Sequence, residues 1–243
     1  MDPQYGQRYR ELYKNHWWWR AREELIVDTL RRYQPAYGWG KILDVGCGDG
    51  LFFDRLSQFG DVEGIEPAGE LVSTTTGIHQ KRIYIAPFDE HFRPRNRYSL
   101  ILMLDVLEHL PDPISALQHA LRLLTSAGTV LATVPAFKLL WTNHDIINHH
   151  LTRYTKSSFR DLTHQAGLLL EVERYFFQWT CPVKLMVRVV EQLFGLRPKL
   201  PSVPPRWINR SLYFVSRLEQ KMLGALPVPF GSSLLIMGRK PDP

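Results

Sequence analysis

Strands and helices alternate along this chain, and that alternation limits its fold more than any other feature. Short apolar, β-prone runs occur at 42–45, 62–65, 83–86, 98–104 and 129–134. Between the first two, Phe52, Leu56 and Phe59 fall at helical spacing and stop at Gly60, a predicted C-cap. After the fourth, the helix predicted over 114–124 follows a Pro-Asp-Pro start and turns Leu117, Leu121 and Leu124 inward. Parallel strands need such crossovers, so the pattern predicts an α/β fold. Upstream, 11–33 reads as one helix with Leu25, Ile26, Leu30 and Tyr33 as its apolar stripe. Downstream, 155–167 reads as a helix, 168–177 as a strand and 232–239 as a last strand. About fifty residues separate those two strands, and a connection of that length is usually functional or an inserted cap. It holds PKLPSVPP and two amphipathic stretches, 182–194 and 206–226.

With 243 residues, 44% hydrophobic and 22% charged, the chain can bury one sizeable core. The expectation is a single domain over 1–243: a helical lid at 1–35, a cofactor-binding core at 36–180, a basic helical insertion or cap at 181–230, and a final strand and tail at 231–243. Cys47 and Cys181 offer neither a disulfide framework nor metal-ligand spacing, which points to a reducing compartment and no metal. Cys47 reads as a small loop residue. No secretory-type apolar segment and no run of about 18 apolar residues occurs, so a cytoplasmic protein is expected. The formal charge is +6. Residues 180–230 carry eight Lys/Arg against Glu191 and Glu219, so this one segment accounts for the whole excess.

The first run leads into DVGCGDG, residues 44–50. A glycine-rich turn between strand and helix lets a ligand approach the backbone and aims free N–H groups at it. A dinucleotide fingerprint would need a third glycine where Leu51 stands. Asp44 and Asp49 would also repel a pyrophosphate and attract a cation. Glu66 lies at the end of the second strand, the place from which a carboxylate holds ribose hydroxyls. An adenosine-type ribose joined to a positively charged, phosphate-free group meets these conditions, and S-adenosylmethionine is such a molecule.

On DVGCGDG (44–50), GIEP (64–67), LDVLEHLPDP (104–113) and AGTVLATVPAF (127–137), the chain resembles the class I S-adenosylmethionine-dependent methyltransferases with a DVLEH-type motif. His16–Arg22 and the HHLTRYT segment extend the likeness. The resemblance implies a Rossmann-like, doubly wound, mainly parallel seven-stranded sheet with an antiparallel last strand and a helical insertion before it. It places Asp44, Gly46, Cys47, Gly48, Asp49 and Gly50 on the methionine half of the cofactor, Glu66 and Pro67 at the ribose, and Leu104, Asp105 and Val106 near the reacting methyl. Pro87, Phe88 and Asp89 would adjoin the adenine, although APFDE departs from the family's usual signal there. Ser99 stands where an aspartate is common and affects local hydrogen bonding.

A sulfonium methyl is already activated, so the protein's task is positioning and exclusion of water. A base is needed only where the acceptor loses a proton during attack. His109, Asp145, His149 and His150 are the catalytic candidates, since a His beside a carboxylate is the simplest base at neutral pH. His144 belongs to the same cluster. Trp18, Arg22, Arg153 and Tyr154 are candidate acceptor contacts. Trp17, Trp18 and Trp19 cannot share one helix face, so they serve either as a lid or as packing bulk.

Over 206–226, Arg206, Arg210, Arg217 and Lys221 form one stripe with Tyr213, and Trp207, Ile208, Leu212, Val215, Leu218 and Met222 lie opposite. The pattern suits a helix at an anionic membrane surface. It suits somewhat better a helix whose apolar side covers the sheet or the substrate pocket while its cations are solvated. No nucleic-acid module accompanies the stripe. The expected function is methyl transfer to a small or lipid-like acceptor. The alternatives are an NAD(P)-dependent oxidoreductase and a non-catalytic, membrane-associated binding module.

Overall fold

The computed structural model describes residues 3–73, 79–224 and 226–241, with the side chains of 3–7 and 73 excepted. Ala225 in the predicted basic stretch, Met1 and Asp2 of the predicted lid and the last two residues of the predicted tail lie outside the described residues. Seven strands, β1 (Lys41–Val45), β2 (Asp61–Ile65), β3 (Ile83–Tyr84), β4 (Tyr98–Leu104), β5 (Leu124–Pro135), β6 (Leu169–Phe176) and β7 (Ser233–Arg239), form one sheet. Their order is β3-β2-β1-β4-β5-β7-β6. β1 to β5 pair in parallel, with Asp44 opposite Gly64 on one side and Leu102 on the other. The chain-final strands run antiparallel as expected. The order reverses beside β1, so its C-terminal end and that of β4 flank a crevice of the kind that receives ligands in open α/β sheets.

The helices are α1 (Pro3–Asn15), α2 (Trp17–Arg32), α3 (Phe53–Leu56), α4 (Gly69–Ser73), α5 (Pro113–Leu123), α6 (Asn143–Ile147), α7 (Lys156–Ala166), α8 (Thr180–Phe194) and α9 (Arg206–Leu223). Several expectations need correction. The predicted 11–33 helix is two, broken at His16, whose Nδ1 accepts the Trp18 N–H at 3.2 Å in a capping role. Tyr33 is exposed rather than part of the stripe. Helix α3 closes at Ser57, and Gly60 is not its cap. Gly60 is glycine for space, since a Cβ there would lie 2.1 Å from the Gly40 carbonyl oxygen. In α5 the buried positions are Ala116, Leu117, His119, Ala120 and Leu123, while Leu124 already begins β5. Asp112 caps that helix by accepting from Ser115 N at 3.0 Å. Ser99 donates its hydroxyl to the Lys41 carbonyl at 3.1 Å, the local role foreseen for it.

The backbone gathers into two compact units. The strand unit comprises 29–134, 156–173 and 235–243, and the helical unit comprises 1–28, 135–155 and 174–234. In the strand unit Ile42, Leu43, Leu100, Ile101, Leu102 and Leu131 are fully buried, as strands covered on both faces require. In the helical unit Leu12 and Trp19 are buried together, with Tyr9, Tyr13, Trp18, Leu200 and Val203 packed against them. Glu219 of α9 caps the start of α8, accepting from Gln178 N at 3.0 Å and Trp179 N at 2.6 Å. The excursion that carries α8 and α9 returns to its own start. Thr180 Oγ1 lies 2.6 Å from Ser232 Oγ, and Ser232 N donates to the Phe177 carbonyl.

Candidate functional site

The glycine loop leaves β1 with Gly46, Gly48 and Gly50 all at positive φ, a region that costs a Cβ-bearing residue energy. Gly46 is also pressed by β4, since a Cβ there would meet Val106 Cγ2 at 2.9 Å. Gly64 on β2 is equally tight, with Cys47 Sγ 2.5 Å from the place of a Cβ. The loop, the end of β2 and the residues after β4 therefore meet.

The backbone N–H groups of the loop behave differently from the expectation. Gly46 N and Cys47 N donate to the Ile65 carbonyl, Gly50 N donates to the Cys47 carbonyl, and Gly48 N donates to Glu66 Oε2 at 2.9 Å. These four donors are satisfied inside the protein and are not free for a diphosphate. What it presents is negative charge. Asp44, Asp49 and Glu66 are all buried. Burial, together with the charges of Asp44, Glu66 and Asp49, pushes the Cys47 thiol far above its ordinary range. Cys47 therefore stays a protonated small residue, and the same field favours a cationic ligand. Glu66 Oε1 accepts from Ala68 N at 2.9 Å, which leaves each carboxylate oxygen one further lone pair.

Asp105 sits just past β4 at φ 57, an unusual conformation for a residue with a side chain. Two bonds to Thr133 hold it: its N–H donates to the Thr133 carbonyl at 2.8 Å and its Oδ1 accepts from Thr133 Oγ1 at 3.0 Å. Thr133 was not singled out in the sequence, and nothing in its strand context marks it. His109 ends a short 3-10 turn over Leu107–His109 and is half-buried. Phe88 packs edge-on against His119 at 5.0 Å, and Asp89 Oδ1 accepts from His91 N, which fixes the turn on which both ride.

In the helical unit the segment 142–154 forms a cluster around Asp145, a side chain with no solvent exposure. Oδ1 accepts from Arg153 Nε and His150 Nδ1, both at 2.8 Å. Oδ2 accepts from Arg153 Nη2 at 2.9 Å and Thr142 N at 2.8 Å. Burial alone would raise this carboxyl, but hydrogen bonds from His150 and Arg153 and the Arg153 charge hold it well below the usual range. Asp145 is thus held as an anion, its oxygens engaged by His150, Arg153 and Thr142. Arg153 turns inward, its side chain bonding Asp145 and, through Nη1, the Ala136 carbonyl at 2.9 Å. His149 takes φ 55 and is exposed, and this bend lets His150 N donate back to the Asp145 carbonyl. Because His150 Nδ1 donates to a carboxylate, Nε2 is the basic nitrogen of its ring. Burial, and then the Lys184 charge, push His144 down to about 3. Tyr154 is buried, and its N–H donates to the Pro135 carbonyl.

Arg22 is buried with its guanidinium 5.5 Å from the Trp18 ring. Trp19 is buried, Trp18 stacks near Phe177 at 5.7 Å, and Trp17 lies 5.3 Å from Trp179. All three tryptophans thus supply packing within their own unit.

A family model described as a methyltransferase domain matches residues 18–172. The chain is similar to the ubiquinone biosynthesis O-methyltransferase of Proteus mirabilis, 30% identical over 109 residues, which is 42% of this chain and 44% of that relative. The chain thus spans less than half the length of that relative. Its fold is similar to that of the N-methyltransferase NodS from Bradyrhizobium japonicum in complex with S-adenosyl-L-homocysteine (TM-score 0.55, 14% identity, 96% of this chain and 91% of that one). It is also similar to that of the [4+2]-cyclase SpnF (TM-score 0.60, 15% identity, 94% and 88%). Likeness at such identities concerns fold alone, and the last of these carries a different printed activity on the same architecture.

Proposed function

The chain belongs to the methyltransferase-domain family, and on that premise we propose that it transfers a methyl group from S-adenosylmethionine to a hydroxyl of a small or lipid-like acceptor. One observation carries the choice of cofactor. The N–H groups of Gly46, Cys47, Gly48 and Gly50 are engaged internally while Asp44, Asp49 and Glu66 lie buried on and beside the loop, so the site suits a cation better than a diphosphate. The same observation sets aside the dinucleotide-dependent alternative.

When bound, the cofactor supplies an already electrophilic methyl group. The chain's own residues then have limited tasks. Asp44 and Asp49 favour the positively charged end of the ligand, and the remaining lone pairs of Glu66 accept from ribose hydroxyls. Asp105, locked by Thr133, holds the end of β4 rigid. The O-methyltransferase name of the Proteus mirabilis relative supports an oxygen acceptor. A hydroxyl must shed its proton as it is attacked, and His109, just beyond β4 in the same unit as the glycine loop, is the residue proposed to take it.

Calorimetry with S-adenosylhomocysteine and with NADH tests the cofactor assignment directly. Binding of the first and none of the second is expected, and Asp44→Asn and Glu66→Ala should each weaken binding by roughly 1–3 kcal/mol, the cost of losing a charged acceptor. Unchanged affinity in both variants, or NADH binding in place of the sulfur nucleoside, would overturn it. For the base, His109→Asn should lower the turnover number while leaving S-adenosylhomocysteine affinity intact. An unaltered turnover number would reassign the proton acceptor.

A further inference from the structure

Helices α8 and α9 are turned the wrong way round for soluble cap helices. Along α9, Asn209, Ser216 and Gln220 are buried, although together they look like a solvent-facing stripe. Each has an internal partner. Asn209 Oδ1 accepts from Trp17 N at 2.8 Å and its Nδ2 donates to the Asn15 carbonyl, Ser216 Oγ accepts from Trp179 Nε1, and Gln220 Nε2 donates to the Ala21 carbonyl. The opposite side carries Trp207, Phe214, Val215, Leu218 and Met222, all exposed, with Trp207 at 74%. At about 100° per residue these five fill an arc of roughly 100°, bordered on one edge by Arg206, Arg210 and Lys221, which are also exposed.

The same inversion occurs in α8. Its charged residues face the protein: Arg188 Nη1 donates to the Lys138 and Leu139 carbonyls, and Glu191 Oε2 accepts from Asn143 N at 2.9 Å. Val183, Met186, Val187, Val190, Leu193 and Phe194 are exposed, with Leu193 at 74%. Helices whose polar faces are hydrogen-bonded inward and whose apolar faces lie bare have a partner that is itself apolar.

We propose that the apolar faces of α8 and α9 form a docking surface for an anionic lipid bilayer, into which Trp207, Phe214 and Leu218 insert while Arg206, Arg210 and Lys221 meet lipid phosphates. Charge complementarity selects this occupant. The segment holds the chain's whole positive excess, and a basic border beside an apolar arc is the layout of a helix lying in a membrane interface. Two copies of the chain joined about a two-fold axis would bring the same cations together, which disfavours self-association. No helix among the described residues is long and apolar enough to cross a membrane, so the contact is peripheral. Arg217, which the sequence placed in the basic stripe, is excluded. It is paired to Asp28 at 2.7 Å and to Gln220 at 2.7 Å. This inference does not depend on the methyl-transfer reading.

The full chain is floated on phosphatidylcholine vesicles with and without phosphatidylglycerol, at low and high salt. Wild type should float only with the anionic lipid, and less at high salt. Phe214→Asp and Leu218→Asp should abolish flotation with unchanged circular dichroism and S-adenosylhomocysteine binding. Arg210→Glu and Lys221→Glu should each reduce partitioning by at least roughly fivefold, the weight of one cation near such a surface. Arg217→Gln should float like wild type if its fold is intact. Absence of flotation on anionic vesicles, equal flotation on neutral ones, or wild-type behaviour in the Asp variants would overturn the proposal. A concentration-dependent dimer in light scattering that Leu218→Asp dissolves, without vesicle binding, would assign the face to a second copy.

Discussion

The strand unit and the helical unit dispose of their large apolar side chains in opposite ways. Of the twenty-three exposed large hydrophobic residues among the described residues, eighteen lie in the helical unit and only Tyr33, Tyr37, Tyr84, Ile85 and Leu169 in the strand unit. The polar groups mirror this. In the strand unit the buried acids Asp44, Asp49 and Glu66 lie on and beside the glycine loop, whereas in the helical unit Asn209, Ser216 and Gln220 are buried to hold helices in place. Burial is therefore a poor guide to function taken residue by residue. The informative observation is a face that carries the wrong kind of side chain for the side it occupies.

Three measurements can break or sharpen that contrast. The largest effect is expected at the helical unit's ionic cluster. Arg153→Met leaves the Asp145 anion buried without its bidentate partner and should cost about 3–5 kcal/mol in urea unfolding. A loss below about 1 kcal/mol would mean that the cluster is not the anchor of its unit. Next comes a matched pair, Leu102→Ala in β4 and Leu193→Ala in α8. Leu102 is fully enclosed and should cost about 2–5 kcal/mol. Leu193 should change stability by no more than about 0.5 kcal/mol. Equal losses would show that α8 is covered in solution and would erase the difference between the units. The smallest effect concerns pH. His16, held down to about 4 by burial, and His144, held down to about 3 by burial and then the Lys184 charge, stay neutral in the folded helical unit. Both would titrate near 6.5 when unfolded. Their contribution is complete above about 6.5 and declines as pH falls toward 4, because the unfolded chain then binds the extra protons. His16→Asn should flatten the midpoint-versus-pH curve in that window, and an unchanged curve would deny His16 its part.

The strand unit was the more legible of the two from sequence. β1, β2 and β4 announce themselves as apolar runs bounded by glycine or charge, and the acids at 44, 49 and 66 lie at fixed distances from those runs. What sequence missed there was a matter of hydrogen bonding. Glycines at 46, 48 and 50 suggested free donors, yet their carbonyl and carboxylate partners come from β2 and from the loop itself. Gly60 looked like a helix stop because local spacing cannot show the Gly40 carbonyl lying against it. In the helical unit, periodicity found α8 and α9 but could not say which side faced inward. The regular recurrence of Asn209, Ser216 and Gln220 on one face was a visible signal. The Asp145 cluster was also within reach, since Asp145, His150 and Arg153 fall within nine residues. Their mutual pairing depends on the turn at His149, which no propensity scale anticipates.

The hydroxyl contact between Thr180 and Ser232, with the Ser232 N–H donating to the Phe177 carbonyl, closes the stem of the long excursion. Loop-closure entropy grows only slowly with length, so a stem closed in this way tolerates a longer or shorter insert at little entropic cost. The length of the excursion can therefore vary while its two ends stay where β6 and β7 need them.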